Sequence, residues 1–298
     1  MCKNRMLRNR ILLIMSLLWL GVASMRAQDA ASRPTLFPYP QAPDTCTTLE
    51  SRCNYIITHF WDQYDISRPI ADEDAFEGAF RDFVDFFKYA HRNIVMSTMR
   101  DFMFKAQTNT GNLEKVGRVA ERSLYGTQAE FWSDEVYVEV ARFMAGASRL
   151  KKNVREHYRD QVTRIERTQT GAVLDFEFTD ARGDRKRLSD LPATVAVVFL
   201  TDNGSDSSID RLRLSTDVNV NALIEAGQLV VVNVLVDKCS GRWTDEAQSL
   251  PANWVNGYNE RLDDEIDVRM LPSCFVVDAE HKIMNKNVSV EAIKQAFD

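Results

Sequence analysis

VAVVFLTDNGSDSSIDRL, from Val195 to Leu212, carries the strongest secondary-structure signals of the chain. It begins with a continuous apolar run, which is typical of a strand buried on both faces of a sheet. A short polar turn follows, and its Asp and Ser residues are those that commonly begin helices. The stretch therefore predicts a buried strand, a tight turn and the start of a helix.

The sequence on either side extends this pattern into a sheet. Leu229–Val236 is a second apolar run, and shorter strands are predicted at Ser273–Val277 and Lys282–Met284, before a closing helix at Val290–Phe297. Upstream, the alternating Leu174–Asp180, a turn at Arg182–Asp184 and Lys186–Leu188 predict a hairpin. Strands that alternate with helices indicate a partly parallel sheet. The predicted helical stretch after Val195–Leu212 has these apolar rows: Ile209, Leu212, Val218, Leu223 and Ile224.

Residues 47–168 have a helical period instead. The spacing of Phe76, Phe80, Phe83 and Phe87 predicts one apolar helix face, and similar rows recur up to Ala147. Thr47 and Glu50 have the spacing of a capping box. We therefore predict an α/β protein in which an all-α helical domain, residues 47–168, precedes a mixed sheet flanked by helices, residues 170–298.

The N-terminus has the pattern of a secretory signal peptide. Basic residues precede the apolar run Ile11–Ala23, and cleavage after Ala27 is predicted. An uncleaved anchor is the alternative. Residues 28–46, rich in Pro, Ala and polar residues, are interpreted as a flexible lead segment. The chain is then exported, and no membrane span is predicted after removal of the signal.

Charge and composition exclude several classes of partner. Removal of residues 1–27 takes away five basic and no acidic residues, so the net charge falls from −6 to −11. Such a chain lacks the basic surface that nucleic acid or anionic lipid requires. His59, His91 and His157 lie far apart without metal-ligand spacing, and the Phe and Met rows are typical of core. We predict no metal and no cofactor.

The order of elements resembles the thioredoxin fold, and specifically the extracytoplasmic thioredoxin-like proteins. The stretches that carry this resemblance are GAVLDFEFTDARGDRKRLSDL, TVAVVFL, LVVVNVLVD and VRMLPSCFVVDAEHKIM. The helical part, through RCNYIITHFWDQYD, and the later LPANWVNGYNERLDDEIDVRMLPS resemble exported proteins with a domain of unknown function ahead of such a module. The resemblance implies a periplasmic location.

Two features mark the redox site in that family, and this sequence has one of them. Leu271-Pro272-Ser273 matches the cis-proline segment, which the resemblance implies is a binding site for extended peptides. The Cys-x-x-Cys pair is absent, because Gly204 and Ser207 stand at its positions with Ser205 and Asp206 between them. Disulfide exchange needs a thiolate and a resolving thiol, so this site is interpreted as degenerate.

Four cysteines remain after the predicted cleavage: Cys46, Cys53, Cys239 and Cys274. Cys239 and Cys274 lie near the redox face, but the predicted strands that carry them are about 10 Å apart, which is too far for a disulfide. Cys46 and Cys53 flank a predicted helix start and form a bond only if the chain folds back. Both pairings stay open at this point.

Three hypotheses follow from the sequence. The first is a redox-inactive exported protein that binds a peptide or protein beside Pro272. The second is a thiol–disulfide oxidoreductase with a non-standard centre at Cys239, with or without Cys274. The third is that the module only packs on the helical domain, to which any binding belongs.

Overall fold

The computed structural model describes residues 35–127, 129–192, 194–239 and 242–297. The chain forms two compact units. The first comprises the described residues up to Asp65 together with Ile70–Ala90, and the second comprises Ile66–Pro69 with the described residues from His91 onward. The predicted signal peptide and cleavage site, at residues 1–27, lie outside the described residues and stay predictions, as do the predicted domain boundaries.

The first unit is helical and has an aromatic core. It contains α1 (Leu49–His59), α2 (Glu73–Asp85) and a 3₁₀ turn at Phe86–Tyr89. The predicted row of four phenylalanines is buried, and the centroids of the Phe83 and Phe87 rings lie 4.8 Å apart. Burial of each such side chain contributes about 1.5–3 kcal/mol to stability. The members of the row are Phe76, Phe80, Phe83 and Phe87.

Two details of this unit differ from the sequence prediction. Thr48, and not Thr47, begins α1, because its hydroxyl accepts a hydrogen bond from the Ser51 amide and Ser51 completes the capping box. The predicted flexible segment is packed at Phe37, whose ring lies 5.4 Å from that of Trp61, and Tyr39 donates to Asp82 at 2.7 Å. Aromatic residues inside a polar segment therefore join the core.

Four further helices belong to the second unit. They are α3 (Arg92–Ala106), α4 (Thr110–Leu124), α5 (Asp134–Gly146) and α6 (Lys152–Arg167). Asn109 and Ser133 begin α4 and α5 by accepting hydrogen bonds from the amides three residues later. The buried side chain of Asn112 donates to the carbonyls of Ile66 and Arg68, which attaches segment 66–69 to this unit.

The second unit also contains a seven-stranded mixed sheet. The strands are β1 (Glu177–Asp180), β2 (Arg185–Arg187), β3 (Val195–Thr201), β4 (Leu229–Leu235), β5 (Val255–Tyr258), β6 (Ser273–Val277) and β7 (Ile283–Val288). Their order across the sheet is β2-β1-β5-β4-β3-β6-β7. The strands β3, β4 and β5 are parallel, and the other pairs are antiparallel. This agrees with the predicted α/β architecture.

The remaining helices follow the strands, and both faces of the central strands are buried. The helices are α7 (Ser205–Ser215), α8 (Val218–Glu225), α9 (Trp243–Glu246), α10 (Leu262–Glu265) and α11 (Val290–Phe297). Val198 and Leu200 of β3 pack on one side with Phe275. Val197 and Phe199 pack on the other side with residues of α7, α8 and α11. The apolar run at Val195–Leu200 is continuous because both faces of β3 are buried.

The prediction of one helical stretch after β3 is wrong in one respect, since the structure has two helices there. The stretch breaks into α7 and α8, because the Asp217 carboxylate accepts hydrogen bonds from the Asn219 and Val220 amides and starts a new helix. The predicted apolar rows differ as well. Ile209, Leu212 and Val218, predicted as core rows, are 47%, 63% and 79% exposed.

Strand β5 was not predicted. It has four residues, and Asn256 and Gly257 inside it are of types that are depleted in strands. Gly257 is required, because a Cβ atom there would lie 2.3 Å from the Phe178 ring. The buried side chain of Asn233 in β4 donates to Asn256, so a polar contact joins the two strands.

No helix within the described part of the chain combines the length and the apolar character needed to cross a membrane.

Candidate functional site

A groove of about 400 Å³ lies beside the start of α7. Four residues of α7 line one side, namely Asp206, Ile209, Asp210 and Arg213, and Met270–Cys274 line another. Asn287–Val290 and the buried ring of Phe199 complete the lining. The volume lies within the range of sites that hold small ligands or side chains of a partner.

The turn between β3 and α7 is closed by Asp202. Its Oδ1 atom accepts hydrogen bonds from the Gly204 amide at 2.9 Å and from the Ser207 hydroxyl at 2.5 Å. The same hydroxyl accepts from the Asp202 amide at 3.0 Å. Ser207 is fully buried. The Asp202 carboxylate and the Ser207 hydroxyl therefore stabilise this turn by hydrogen bonds to one another and to the backbone.

The two positions that the sequence assigned to the missing cysteines lie in this turn. Gly204 precedes the first residue of α7, and Ser207 is the third residue of the helix, with exposed Ser205 and Asp206 between them. A Cβ atom at Gly204 would lie 2.9 Å from Asp202 Oδ1. Any side chain at position 204 must therefore displace the carboxylate that closes the turn.

The segment that faces α7 leads into β6. The Leu271–Pro272 peptide bond is cis. The ladder between β3 and β6 ends at the Leu200–Ser273 pair. Met270 is 47% exposed, and neither Met270 nor Leu271 makes a main-chain hydrogen bond to another residue of the described ranges. The polypeptide edge at these two residues is therefore open to the groove.

Cys239 and Cys274 are not joined in the structure. Cys274 lies in β6 and Cys239 follows β4, and β3 lies between these strands, as predicted. Burial raises the pKa of the Cys274 thiol, which is 1% exposed. Burial also raises the pKa of Cys239, and the carboxylates of Glu246 and Glu260 raise it further. Both groups favour the thiol over the reactive thiolate.

Cys46 and Cys53 are also free thiols in the structure. Cys53 is buried in α1, and burial raises the pKa of its thiol. The disulfide that was considered for this pair is not formed.

A buried charge cluster, which the sequence did not predict, lies next to the groove segment. Arg269 donates to Asp267 at 2.6 Å and also forms an ion pair with Asp134 at the start of α5. Lys286 of β7 pairs with Asp134 as well. The side chains of Arg269 and Asp267 are 3% and 1% exposed. Arg269 immediately precedes Met270, so the cluster fixes the base of the open edge.

Tyr125, just after α4, connects this cluster to the helices. Its hydroxyl donates to Asp267 at 2.7 Å, and the Arg269 guanidinium lies 4.2 Å from the centre of its ring. Burial and the nearby Asp267 carboxylate raise the pKa of Tyr125. Burial alone would lower the pKa of Arg269, but the hydrogen bonds and charges of Asp267 and Asp134 raise it overall. The cluster therefore balances two basic side chains, Arg269 and Lys286, against the two carboxylates of Asp134 and Asp267.

The histidines do not come together. His59 contacts Asp62, His91 accepts a hydrogen bond from the Asn93 amide at the start of α3, and His157 contacts Glu121. Within the ranges that the structure describes, no group of His, Cys, Asp and Glu side chains is arranged to hold a metal ion.

The crystal structure of a thioredoxin-like protein from Bacteroides caccae superposes with a TM-score of 0.74, covers 89% of this chain and 99% of its own, and is 18% identical. The fold is thioredoxin-like. A family model for a domain of unknown function, DUF5106, matches residues 22–168. The chain therefore combines a thioredoxin-like fold with an N-terminal region that matches a domain of unknown function, as the sequence resemblance predicted.

Two other solved structures match parts of the thioredoxin-like chain. One is the C-terminal domain of an uncharacterized protein from Bacteroides fragilis, 20% identical, which covers 44% of this chain and 98% of its own with a TM-score of 0.41. The other is the thioredoxin domain of a thiol-disulfide oxidoreductase from Bacteroides vulgatus, 17% identical, with coverages of 44% and 99% and a TM-score of 0.37. No curated protein matches the chain.

Proposed function

We propose that this thioredoxin-like chain binds an extended peptide or protein segment in the groove beside Pro272 and performs no disulfide exchange there. The observation that carries the proposal is the open main-chain edge at Met270–Leu271, which faces a groove of about 400 Å³ that contains no reactive thiol pair.

The open edge supports peptide binding. An extended segment can add main-chain hydrogen bonds to unpaired backbone groups, while pockets beside the edge accept alternate side chains. Met270 and Ile209 are both 47% exposed and both line the groove, so they offer apolar contact to such a segment. Leu271, Pro272 and Ser273, the predicted binding residues, all line the same groove.

The turn supports a redox-inactive site. Exchange requires a thiolate nucleophile and a second thiol, and Gly204 and Ser207 provide neither. The alternative centre at Cys239 is disfavoured, because burial and neighbouring carboxylates raise its pKa and Cys274 lies two strands away. The third hypothesis, that the module only packs on helices, gives no role to the open edge.

Export to the periplasm belongs to the same proposal. Its support is the basic N-terminal flank followed by the apolar run Ile11–Ala23. Determining the N-terminal residue of the protein recovered from the producing cells tests it, since the proposal expects the chain to begin at Gln28.

The binding experiment uses an unfolded protein as probe. Reduced α-lactalbumin, with its thiols capped by neutral carboxamidomethyl groups, is titrated into the purified chain without residues 1–27, and binding is followed by calorimetry. Ile209→Asp, inside the groove, is compared with Leu212→Asp, an exposed aliphatic of the same helix that does not line it. We expect Ile209→Asp to weaken binding at least threefold and Leu212→Asp to leave it unchanged. No binding by the unsubstituted chain, or equal loss in both variants, would overturn the proposal.

The redox experiment measures reduction of insulin by dithiothreitol. The chain is expected to give the uncatalysed rate, and so is Cys239→Ser. Catalysis by the unsubstituted chain that Cys239→Ser abolishes would establish the alternative centre instead.

A further inference from the structure

The α7 side of the groove carries charged and apolar side chains, and one of its carboxylates has no partner within the described residues. Three residues follow Asp206 at distances of three, four and seven positions, so that all four share one face of the helix. The three are Ile209, Asp210 and Arg213. All four line the groove. Polar and apolar groups therefore alternate along this wall.

The charges on this wall do not balance. Arg213 donates to Asp210 at 3.1 Å, so these two groups offset each other. Asp206 is exposed and makes no hydrogen bond or ion pair with any residue of the described ranges. The side chains that line the groove therefore carry a net charge of −1, and the unpaired carboxylate lies at the end where α7 begins.

An apolar position follows this charge. Ile209 is one turn further along α7, which places it about 4.5 Å from Asp206 along the helix axis. Met270 supplies an exposed apolar side chain from the facing segment. An extended chain advances about 3.3 Å per residue. Groups that contact Asp206 and Ile209 together therefore come from ligand residues one or two positions apart.

We propose that the groove selects extended segments in which a lysine or arginine is one or two residues away from an aliphatic side chain. The basic group pairs with Asp206, and the aliphatic group lies between Ile209 and Met270. The inference rests on the proposed function and adds the class of peptide. Acidic segments are disfavoured, because they would meet the same unpaired carboxylate.

The probe is a phage-displayed library of random heptapeptides, selected on the chain without residues 1–27. The same selection is made on Asp206→Asn and on Asp74→Asn. Asp74 is the matched control, since it is an exposed aspartate in the first turn of another helix, in the first unit. A first-turn carboxylate also stabilises its own helix, so the thermal midpoint of each variant is recorded separately.

We expect the unsubstituted chain and Asp74→Asn to enrich peptides with a basic residue beside an aliphatic one. Asp206→Asn should lose this enrichment, and a selected peptide resynthesised free should bind it about two- to fivefold more weakly at low salt, as for an exposed ion pair. Peptides enriched without a basic residue, or enriched equally on Asp206→Asn, would overturn the inference and leave the proposed function intact. Failure to enrich any peptide, together with no α-lactalbumin binding, would overturn both.

Discussion

Arg269 and Asp134 are 135 residues apart in the chain and form an ion pair in which the arginine side chain is 3% exposed. Asp134 begins helix α5, and Arg269 precedes the open edge at Met270–Leu271. Helix α5 lies within the residues that the DUF5106 model matches, and it thus supports the segment that lines the groove. The groove geometry depends on residues from both halves of the sequence.

Loss of this ion pair should destabilise the protein strongly. Asp134→Ala leaves the buried Arg269 and Lys286 with one carboxylate fewer, and removal of one partner from a buried pair costs on the order of 3–5 kcal/mol. Urea unfolding followed by circular dichroism measures the change. Asp264→Ala, which breaks the exposed pair with Arg261, is the control and should cost less than about 1 kcal/mol. Similar losses in the two variants would contradict the role assigned to burial.

The same aspartate should make stability depend on pH. Burial alone would raise the pKa of Asp134, but Lys286 and Arg269 lower it overall. A carboxyl group with a lowered folded-state pKa contributes stability that is present above its unfolded pKa, about 3.9, and is lost as the pH falls through the folded value. Urea midpoints between pH 3 and 7 should therefore fall more steeply below about pH 4 in the unsubstituted chain than in Asp134→Asn. Parallel curves for the two proteins would contradict this.

Ser207 should matter for stability and not for catalysis. Ser207→Ala removes the hydroxyl that donates to Asp202 and accepts from its amide, so we expect a loss of about 1–3 kcal/mol in the free energy of unfolding. Ser205→Ala, at an exposed position in the same turn, should stay within about 0.5 kcal/mol. Urea unfolding of both variants decides, and an equal effect would mean that the hydroxyl does not hold the turn.

The cysteines should react as free thiols of unequal accessibility. Alkylation of the denatured protein without a reductant should label Cys46, Cys53, Cys239 and Cys274. In the native protein, Cys53 and Cys274 should label slowly because they are buried, and Cys239 should label faster as the pH rises. Peptide mass spectrometry locates the labels. A reducible bond between Cys239 and Cys274 would contradict the strand order and favour the oxidoreductase hypothesis.

Much of the sheet follows from local pattern, and the differences have local causes. The apolar runs of β3 and β4 mark strands buried on both faces, so their positions were predicted within one residue. Strand β5 was missed because Asn256 and Gly257 serve a long-range hydrogen bond and a close approach to Phe178, neither of which leaves a periodic signal. The break between α7 and α8 was missed because one capping residue, Asp217, starts a new helix without interrupting the apolar pattern.

The candidate site shows the same division. The absence of a Cys-x-x-Cys pair and the position of Pro272 can be read from the sequence, because they concern single positions in a known order of elements. Asp202, which closes the turn, carries a weak signal as a polar residue two positions before Gly204. Asp134 and Arg269 carry none, since only the folded chain brings together charges that are 135 residues apart.

The Asp134–Arg269 pair also determines where this protein can be divided. A fragment that starts at residue 170, after the end of the DUF5106 match, would retain Asp267, Arg269 and Lys286 but lack Asp134 and Tyr125. Arg269 and Lys286, which lie next to the groove segment, would then lack the carboxylate of Asp134 and be exposed to solvent. A shortened version of this module should therefore retain helices α3 to α6 and also segment 66–69, whose carbonyls accept from the buried Asn112 side chain.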